Sequence, residues 1–447
     1  MTAYPLISAH GLDDTLAWRP DGPVTVRAFL ADAHATSRAF PAGDWVLNLC
    51  EDRYHFAVVF AACLLAGKTS LQPASQSVQT LRRLEQDYPG VFYVADGTHD
   101  VPGLQRMDYP DLSTMERPPV SDMPAIPADR LVAILFTSGS TGLPQPHGKT
   151  WGKLVLNGRA EAQGLGLLNS GTVLVGTVPV QHSYGFESTF LLALHGGCSF
   201  WSGKPFYPQD VVDALQAVPR PRMLVTAPYH LSALLASDLS LPALDICLSA
   251  TAPLSAELAA QAERRYGAPV HEIYGSTESS QLACRRTTEG GIWQLLTGVQ
   301  LEQDGDTTYA QAGHVEGRVP LSDIIELLSD GRFLLNGRHA DLVNIAGRRT
   351  SLAYLNHQLC SIAGVQDGAF FLPDDSGNEA VTRLTAFVVA LGLSREALVS
   401  ELRQRIDPIF LPRPLVWVDA LPRNSTGKLP RSGLEALYRD KVAHRGR

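Results

Sequence analysis

Five short apolar runs recur through the middle of the chain, and most intervals between them are long enough for a helix. They are Val132 to Phe136, Thr172 to Thr177, Met223 to Ala227, Asp245 to Ser249 and Val270 to Tyr274. Between the last two, Leu258, Ala262 and Tyr266 fall four residues apart on one face, which predicts a helix from Ser255 to Tyr266. Gly267 ends it, because glycine enters the left-handed conformation cheaply. Strands separated by helices pair in parallel through crossovers, so the pattern predicts an α/β fold.

Near Asp341 the pattern changes. A helix is predicted from Ser394 to Ile406, with Leu398, Leu402 and Ile406 sharing a face, flanked by strand candidates Leu384 to Ala390 and Leu415 to Val418. The expected architecture is a large N-terminal domain, 1–339, of mixed, mostly parallel sheets with crossover helices, and a small mobile α+β C-terminal domain, 340–447. A chain of 447 residues can give each its own core. The proline-rich stretch Met115 to Pro127 is expected to be a surface connection.

Composition excludes several classes. With 45% hydrophobic and 18% charged residues the chain reads as an ordinary globular protein, and a net charge of −8 disfavours nucleic acid as a partner. The six cysteines form no C-x-x-C pair, which leaves structural zinc and redox motifs without support and fits free thiols in the cytoplasm. The most apolar stretch, Phe56 to Leu65, is shorter than the roughly 20 residues that span a bilayer. It reads as a buried helix. The first residues lack the basic and apolar regions of a signal peptide.

Three segments carry chemistry. In the first, the apolar run ending at Phe136 leads directly into Thr137, Ser138, Gly139, Ser140, Thr141 and Gly142. Small residues let backbone N–H groups approach an anion and the hydroxyls add donors, which is what a triphosphate requires. No G-K-[ST] follows, so this is not a Walker A loop. In the second, Tyr274, Gly275, Ser276, Thr277 and Glu278 bring a hydroxyl and a carboxylate to a strand end, where they can meet a phosphate and Mg²⁺. In the third, Leu421 to Leu429 (LPRNSTGKL) sets Lys428 on a glycine-containing loop. A mobile ammonium there can follow charge as it develops during a reaction.

Together, in this order, these segments resemble the adenylate-forming superfamily of acyl-CoA synthetases, aryl-acid ligases and adenylation domains. The resemblance spans most of the chain and implies a ligase that uses ATP and Mg²⁺ to turn a carboxylic acid into an acyl-adenylate, then passes the acyl group to a thiol. It implies that Thr277 contacts the α-phosphate, Glu278 binds magnesium, Tyr274 lies by the adenine and Lys428 acts in adenylation. Ser249 and Ala250, in SATAPL, resemble the segment against which adenine lies; a plain strand-to-helix turn is the alternative. Asp323 matches the ribose-binding aspartate, or is a solvated loop carboxylate. Gly337 to Asp341, with Arg338 near the nucleotide and Asn344, Gly347 and Arg349 beyond, resembles the hinge, with Ala340 where the family has Asp or Lys.

The family loop ends in Pro-Lys-Gly, whereas this chain has Pro144-Gln145-Pro146. Lys149 or Lys153 is the expected source of the missing charge. Pro179 to Gly185 matches the family element P-x-x-H-x-x-G, which implies that His182 contacts the substrate carboxylate. Tyr184 and Phe186 are either pocket walls or core.

The loop variant is also similar to ligases that start aryl-polyene (xanthomonadin-type) pigments from hydroxybenzoate. That implies a small aromatic acid and the phosphopantetheine thiol of an acyl carrier protein as acceptor; Arg439, Lys441, Arg445 and Arg447 are either a surface for that acidic carrier or a solvated helix end. The rivals are a CoA ligase for an aromatic or short-chain acid, and a nucleotide-binding regulator with a degraded site, which Gln145 and Ala340 favour.

Overall fold

The computed structural model describes residues 2–442 apart from 74, 99, 139–143, 339–341, 346–347, 374–383, 391 and 425–426. Two sheets dominate it. The first has six strands in the order Pro144–Thr150, Leu131–Ser138, Thr69–Gln72, Trp45–Asn48, Phe92–Ala95, Gln105–Asp108. All pairings are parallel except that of the edge strand Pro144–Thr150, which returns antiparallel beside Leu131–Ser138.

The second sheet has eleven strands, and all five apolar runs except the first lie in it as neighbours. Val173–Gly176, Arg222–Thr226, Ile246–Ser249 and Val270–Ser276 pair in parallel, as the spacing predicts. Antiparallel strands extend it at both ends. The helix Ala256–Tyr266 begins at Ser255, whose side chain caps the Leu258 N–H, and ends at Gly267 with φ 68°. The Met115 to Pro127 connection holds a short strand that sequence reading missed: Ala125–Pro127 pairs with Ala3–Pro5.

Alternation along the strands builds three cores. Leu174, Val225 and Leu248 face Val132, Leu135 and Val94 of the six-stranded sheet across one apolar layer. Their neighbours Val173, Leu224 and Cys247 face helices on the outer side, and Ile134, Phe136 and Tyr93 do the same for the six-stranded sheet. The helix Arg53–Ala66 lies in the central layer with eleven buried residues, which explains why its sequence is apolar on all sides. Asp52 caps its start and Gly67, left-handed at φ 78°, ends it.

Beyond Leu342 a hairpin, Leu342–Ile345 with Arg348–Ser351, precedes a three-stranded sheet of Val365–Phe371, Thr385–Ala390 and Leu415–Trp417. The helices Leu352–Cys360 and Arg395–Arg405 pack on it around Leu355, Leu359, Leu398 and Leu402, while Phe371, Phe387 and Leu434 form a second cluster with the helix Arg431–Lys441.

Candidate active site

Because the four central strands run parallel, the segments leaving their carboxyl ends emerge along one edge, where open α/β sheets bind ligands. His182 follows Val173–Gly176, Tyr229 follows Arg222–Thr226, Ala250 follows Ile246–Ser249, and Thr277 with Glu278 follows Val270–Ser276. The last two sit at the tip of a hairpin, between Ser276 and its partner Ser280. The Ser276 side chain is occupied there with Ser279, Oγ to Oγ 3.1 Å. Gly275 is required by packing: a Cβ would lie 2.3 Å from the Ser280 carbonyl oxygen.

The P-x-x-H-x-x-G element meets this hairpin directly, with Ser183 Oγ 3.2 Å from Thr277 Oγ1. Its shape has a physical origin. Gly185 turns so tightly beneath Pro179 that a Cβ would stand 2.1 Å from the Pro179 carbonyl oxygen. His182 caps the following turn, its Nδ1 accepting from the Tyr184 N–H at 3.3 Å, so in the neutral ring Nε2 carries the proton. Burial first, and the charge of Lys428 second, depress its pKa to about 3. The ring is therefore neutral at physiological pH and offers an N–H for a carboxylate.

Arg53, absent from the sequence reading, anchors this element from below. Its guanidinium, fully buried, donates to the carbonyls of Gly176 at 3.0 Å and Val178 at 3.1 Å and to Thr189 Oγ1 at 2.7 Å. Nothing in the local sequence distinguishes Arg53 from a solvated residue at a helix start.

Tyr184 is buried and its hydroxyl donates to the Leu248 carbonyl at 3.0 Å. Phe186 is a correction to the pocket-wall alternative. It is fully buried among Phe56, Phe60 and Phe190, with centroids 6.2, 5.2 and 5.6 Å away, and belongs to the central core.

Tyr274 and Asp323 are brought together, the tyrosine hydroxyl donating to Asp323 Oδ2 at 2.7 Å. Ser249 is fully buried, and Ala250 beside it precedes Thr251, whose φ of 77° is unusual for a β-branched residue and marks a strained turn at this edge. Of the glycine loop, Thr137 is described; Gly139, Ser140, Thr141, Gly142 and the Ser138 side chain lie outside the described residues, as do the Arg338 side chain, Ala340, Asp341 and Gly347 and the side chains of Asn344 and Arg349.

The two lysines expected to replace the loop charge are engaged elsewhere. Lys149, 2% exposed, donates to Ser280 Oγ at 2.9 Å and to the Glu278 carbonyl at 3.4 Å. Lys153 donates to the Gly313 carbonyl at 2.7 Å. Strand alternation and helix rotation direct both ammoniums inward. Instead His147 borders the site, Nε2 3.0 Å from Thr137 Oγ1 and 3.6 Å from Glu278 Oε1.

Glu278, its side chain 42% exposed, suits magnesium: a hard ion held by one carboxylate, phosphate oxygens and water needs no cluster of protein ligands. None of three or more such residues occurs among the described residues.

Lys428 arrives on the tail loop. Arg423 fixes that loop with a two-pronged ion pair to Asp367 at 2.8 and 2.7 Å and a bond to the Gly427 carbonyl at 2.9 Å. Gly427, at φ 77°, packs against Tyr229, where a Cβ would stand 3.2 Å from the tyrosine Cβ. That contact carries Lys428 close to His182. Arg439 and Lys441 lie in the last turn of their helix; Arg445 and Arg447 lie outside the described residues.

Comparison with known proteins identifies the family. The chain is 27% identical over 301 residues to a 4-coumarate–CoA ligase of Rhodobacter capsulatus, covering 66% of this chain and 74% of that one. It is 24% identical to a 4-chlorobenzoate–CoA ligase of Arthrobacter, over 67% of this chain and 65% of that protein. An L-proline–[L-prolyl-carrier protein] ligase of Streptomyces coelicolor is 26% identical over 70% of this chain and 68% of its own. The fold matches ATP-bound MatB of Rhodopseudomonas palustris with TM-score 0.82 at 19% identity, covering 96% of both chains. It also matches the AMP complex of an O-succinylbenzoate coenzyme A synthetase of Bacillus subtilis, with TM-score 0.80 at 19% identity over 97% and 98%. The AMP-binding enzyme family model matches residues 24–313, well over half of the chain, which therefore belongs to that family and is an AMP-forming ligase of acids and thiols.

Proposed function

We propose that the acid is a small hydroxylated aromatic carboxylate of the hydroxybenzoate class. One observation carries this reading. The two elements that touch at Ser183 and Thr277 touch again five residues on in the first and four in the second, where Gln281 Nε2 donates to Ser188 Oγ at 2.6 Å. Behind them lies Glu161, fully buried beside the Ser188 and Gln281 side chains; Gln281 Oε1 accepts no hydrogen bond. An unsatisfied buried acceptor at this depth suits a ligand that brings a hydroxyl donor. Burial raises the pKa of Glu161 to about 8, with Ser188 and Gln281 opposing the rise, so it is uncharged at neutral pH. A fatty acyl chain has nothing to offer these groups.

In the reaction, the carboxylate lies at His182, whose Nε2–H orients it for in-line attack on the α-phosphorus of ATP. The glycine loop and Thr277 hold the phosphates, and Tyr274 and Asp323 the nucleoside. Glu278 would hold magnesium, whose charge would offset that of the phosphate oxygens. Lys428 stabilises the negative charge that gathers on the α-phosphate, and pyrophosphate leaves. The C-terminal domain, 340–447, then turns about the segment at Ala340 and Asp341, withdrawing Lys428. A thiolate attacks the acyl carbon, giving a thioester and AMP. The similarity to ligases of aryl-polyene pigment synthesis supports the phosphopantetheine thiol of an acyl carrier protein as acceptor. The names of the coumarate and chlorobenzoate relatives support CoA as a second reading.

Adenylation measured by hydroxamate trapping across benzoates, cinnamates and fatty acids tests the substrate. Hydroxybenzoates are expected to lead, with Gln281→Leu lowering the preference for hydroxybenzoate over benzoate roughly tenfold. Equal use of both acids by the wild type would overturn it. Free CoA against holo carrier protein decides the acceptor.

A further inference from the structure

The edge strand Pro144–Thr150 sets Gln145 opposite Thr137, His147 opposite Leu135 and Lys149 opposite Ala133. Side chains alternate across a strand, so Gln145, His147 and Lys149 share a face. That face descends from exposed Gln145 through half-buried His147 to buried Lys149. The two basic side chains end on the same turn. Lys149 reaches its backbone and Ser280, while one atom of His147, Nε2, faces both the Glu278 carboxylate and the Thr137 hydroxyl.

A polyphosphate held between Thr137 and Glu278 must therefore pass the imidazole Nε2. Lys149 and Lys153 are committed to protein acceptors, and Gln145 is uncharged. We propose that His147 is a nucleotide-contacting residue that donates a ring N–H to the polyphosphate between these two anchors. The inference rests on the reading of Thr137 and Glu278 as nucleotide ligands. Nε2 carries a proton in the imidazolium and in the Nε2–H tautomer of the neutral ring, so the contact does not require a charged ring.

The test compares Mg·ATP binding, by calorimetry without acid, with steady-state KM values for ATP and hydroxybenzoate. His147→Ala is expected to weaken ATP binding and raise KM for ATP about tenfold or more, leaving KM for the acid unchanged. Gln145→Lys added to that variant is expected to recover most of the loss, because a lysine two residues outward on the same strand face can reach the same phosphate; an exposed lysine cannot repair a packing defect. Unchanged ATP affinity in folded His147→Ala would overturn the proposal. So would a loss shared equally by acid and ATP and not repaired by the lysine. Should the alanine variant fail to fold, His147→Gln, which keeps a donor, is expected to retain ATP binding that His147→Met loses, and equal binding by both would overturn the assignment. A wild type that binds Mg·ATP but adenylates no acid refutes the ligase substrate reading while leaving the His147 result intact.

Discussion

Lys428 stands close enough to His182 that its charge, added to the larger effect of burial, lowers the imidazole pKa to about 3. One residue comes from the tail loop of the C-terminal sheet unit and the other from the P-x-x-H-x-x-G element, and Gly427, next to Lys428, packs against Tyr229. Under the proposed mechanism this is the arrangement for adenylation, with Lys428 and His182 together.

Because His182 is neutral far below physiological pH, its protonation does not gate acid binding. KM for the acid is expected to show no inflection near pH 6.5 between pH 5.5 and 8. An inflection there that vanishes in His182→Ala, measured by initial rates across the range, would contradict the assignment of a neutral donor.

Gly185→Ala forces a methyl group toward the Pro179 carbonyl, far inside van der Waals contact. Backbone must move to accept it, and His182 and Ser183 move with it. The expected result is a loss of about 1–3 kcal/mol in stability and a raised KM for the acid, with Mg·ATP binding retained. Thermal melts and paired KM values check this; equal damage to ATP and acid binding would argue that the turn serves the whole fold and not the acid end.

Glu161 carries a pH signature. Its folded pKa, raised by burial to about 8, exceeds the ordinary carboxylate value. The proton is therefore held more tightly in the fold, so this group's contribution is fully present below pH 4.5 and is lost as pH rises through about 8. Glu161→Gln, which mimics the protonated acid, is expected to gain stability relative to the wild type as pH increases from 5 to 8.5. Melting curves of both proteins across that range give the difference directly; a constant gap would mean that Glu161 is ionised throughout.

Much of the fold was legible because periodicity is local. The five apolar runs, the helix Ala256–Tyr266 with its serine cap and glycine stop, and the helix Arg395–Arg405 all follow from residues within a few positions of one another. What escaped depends on contacts between distant segments. Arg53 reads as a surface residue until the turns at Gly176 and Val178 are laid over it. Glu161, in the sequence Arg-Ala-Glu-Ala-Gln, looks solvated, yet its helix, Trp151–Gly164, is buried around it. Lys149 and His147 share a strand face with Gln145, which emerges only once that segment is known to be an edge strand. Phe186, near a functional histidine in sequence, belongs to a ring cluster assembled with the helix Arg53–Ala66.

Acid-dependent ATP–pyrophosphate exchange in wild type and Lys428→Ala, run beside thiolysis of a supplied hydroxybenzoyl-adenylate, tests the central claim most directly. Exchange is expected to fall by roughly a hundredfold or more while thiolysis continues near the wild-type rate. Equal loss of both half-reactions, or exchange that survives the substitution, would contradict the convergence of Lys428, His182, Thr277 and Glu278 on a single reacting acid and nucleotide.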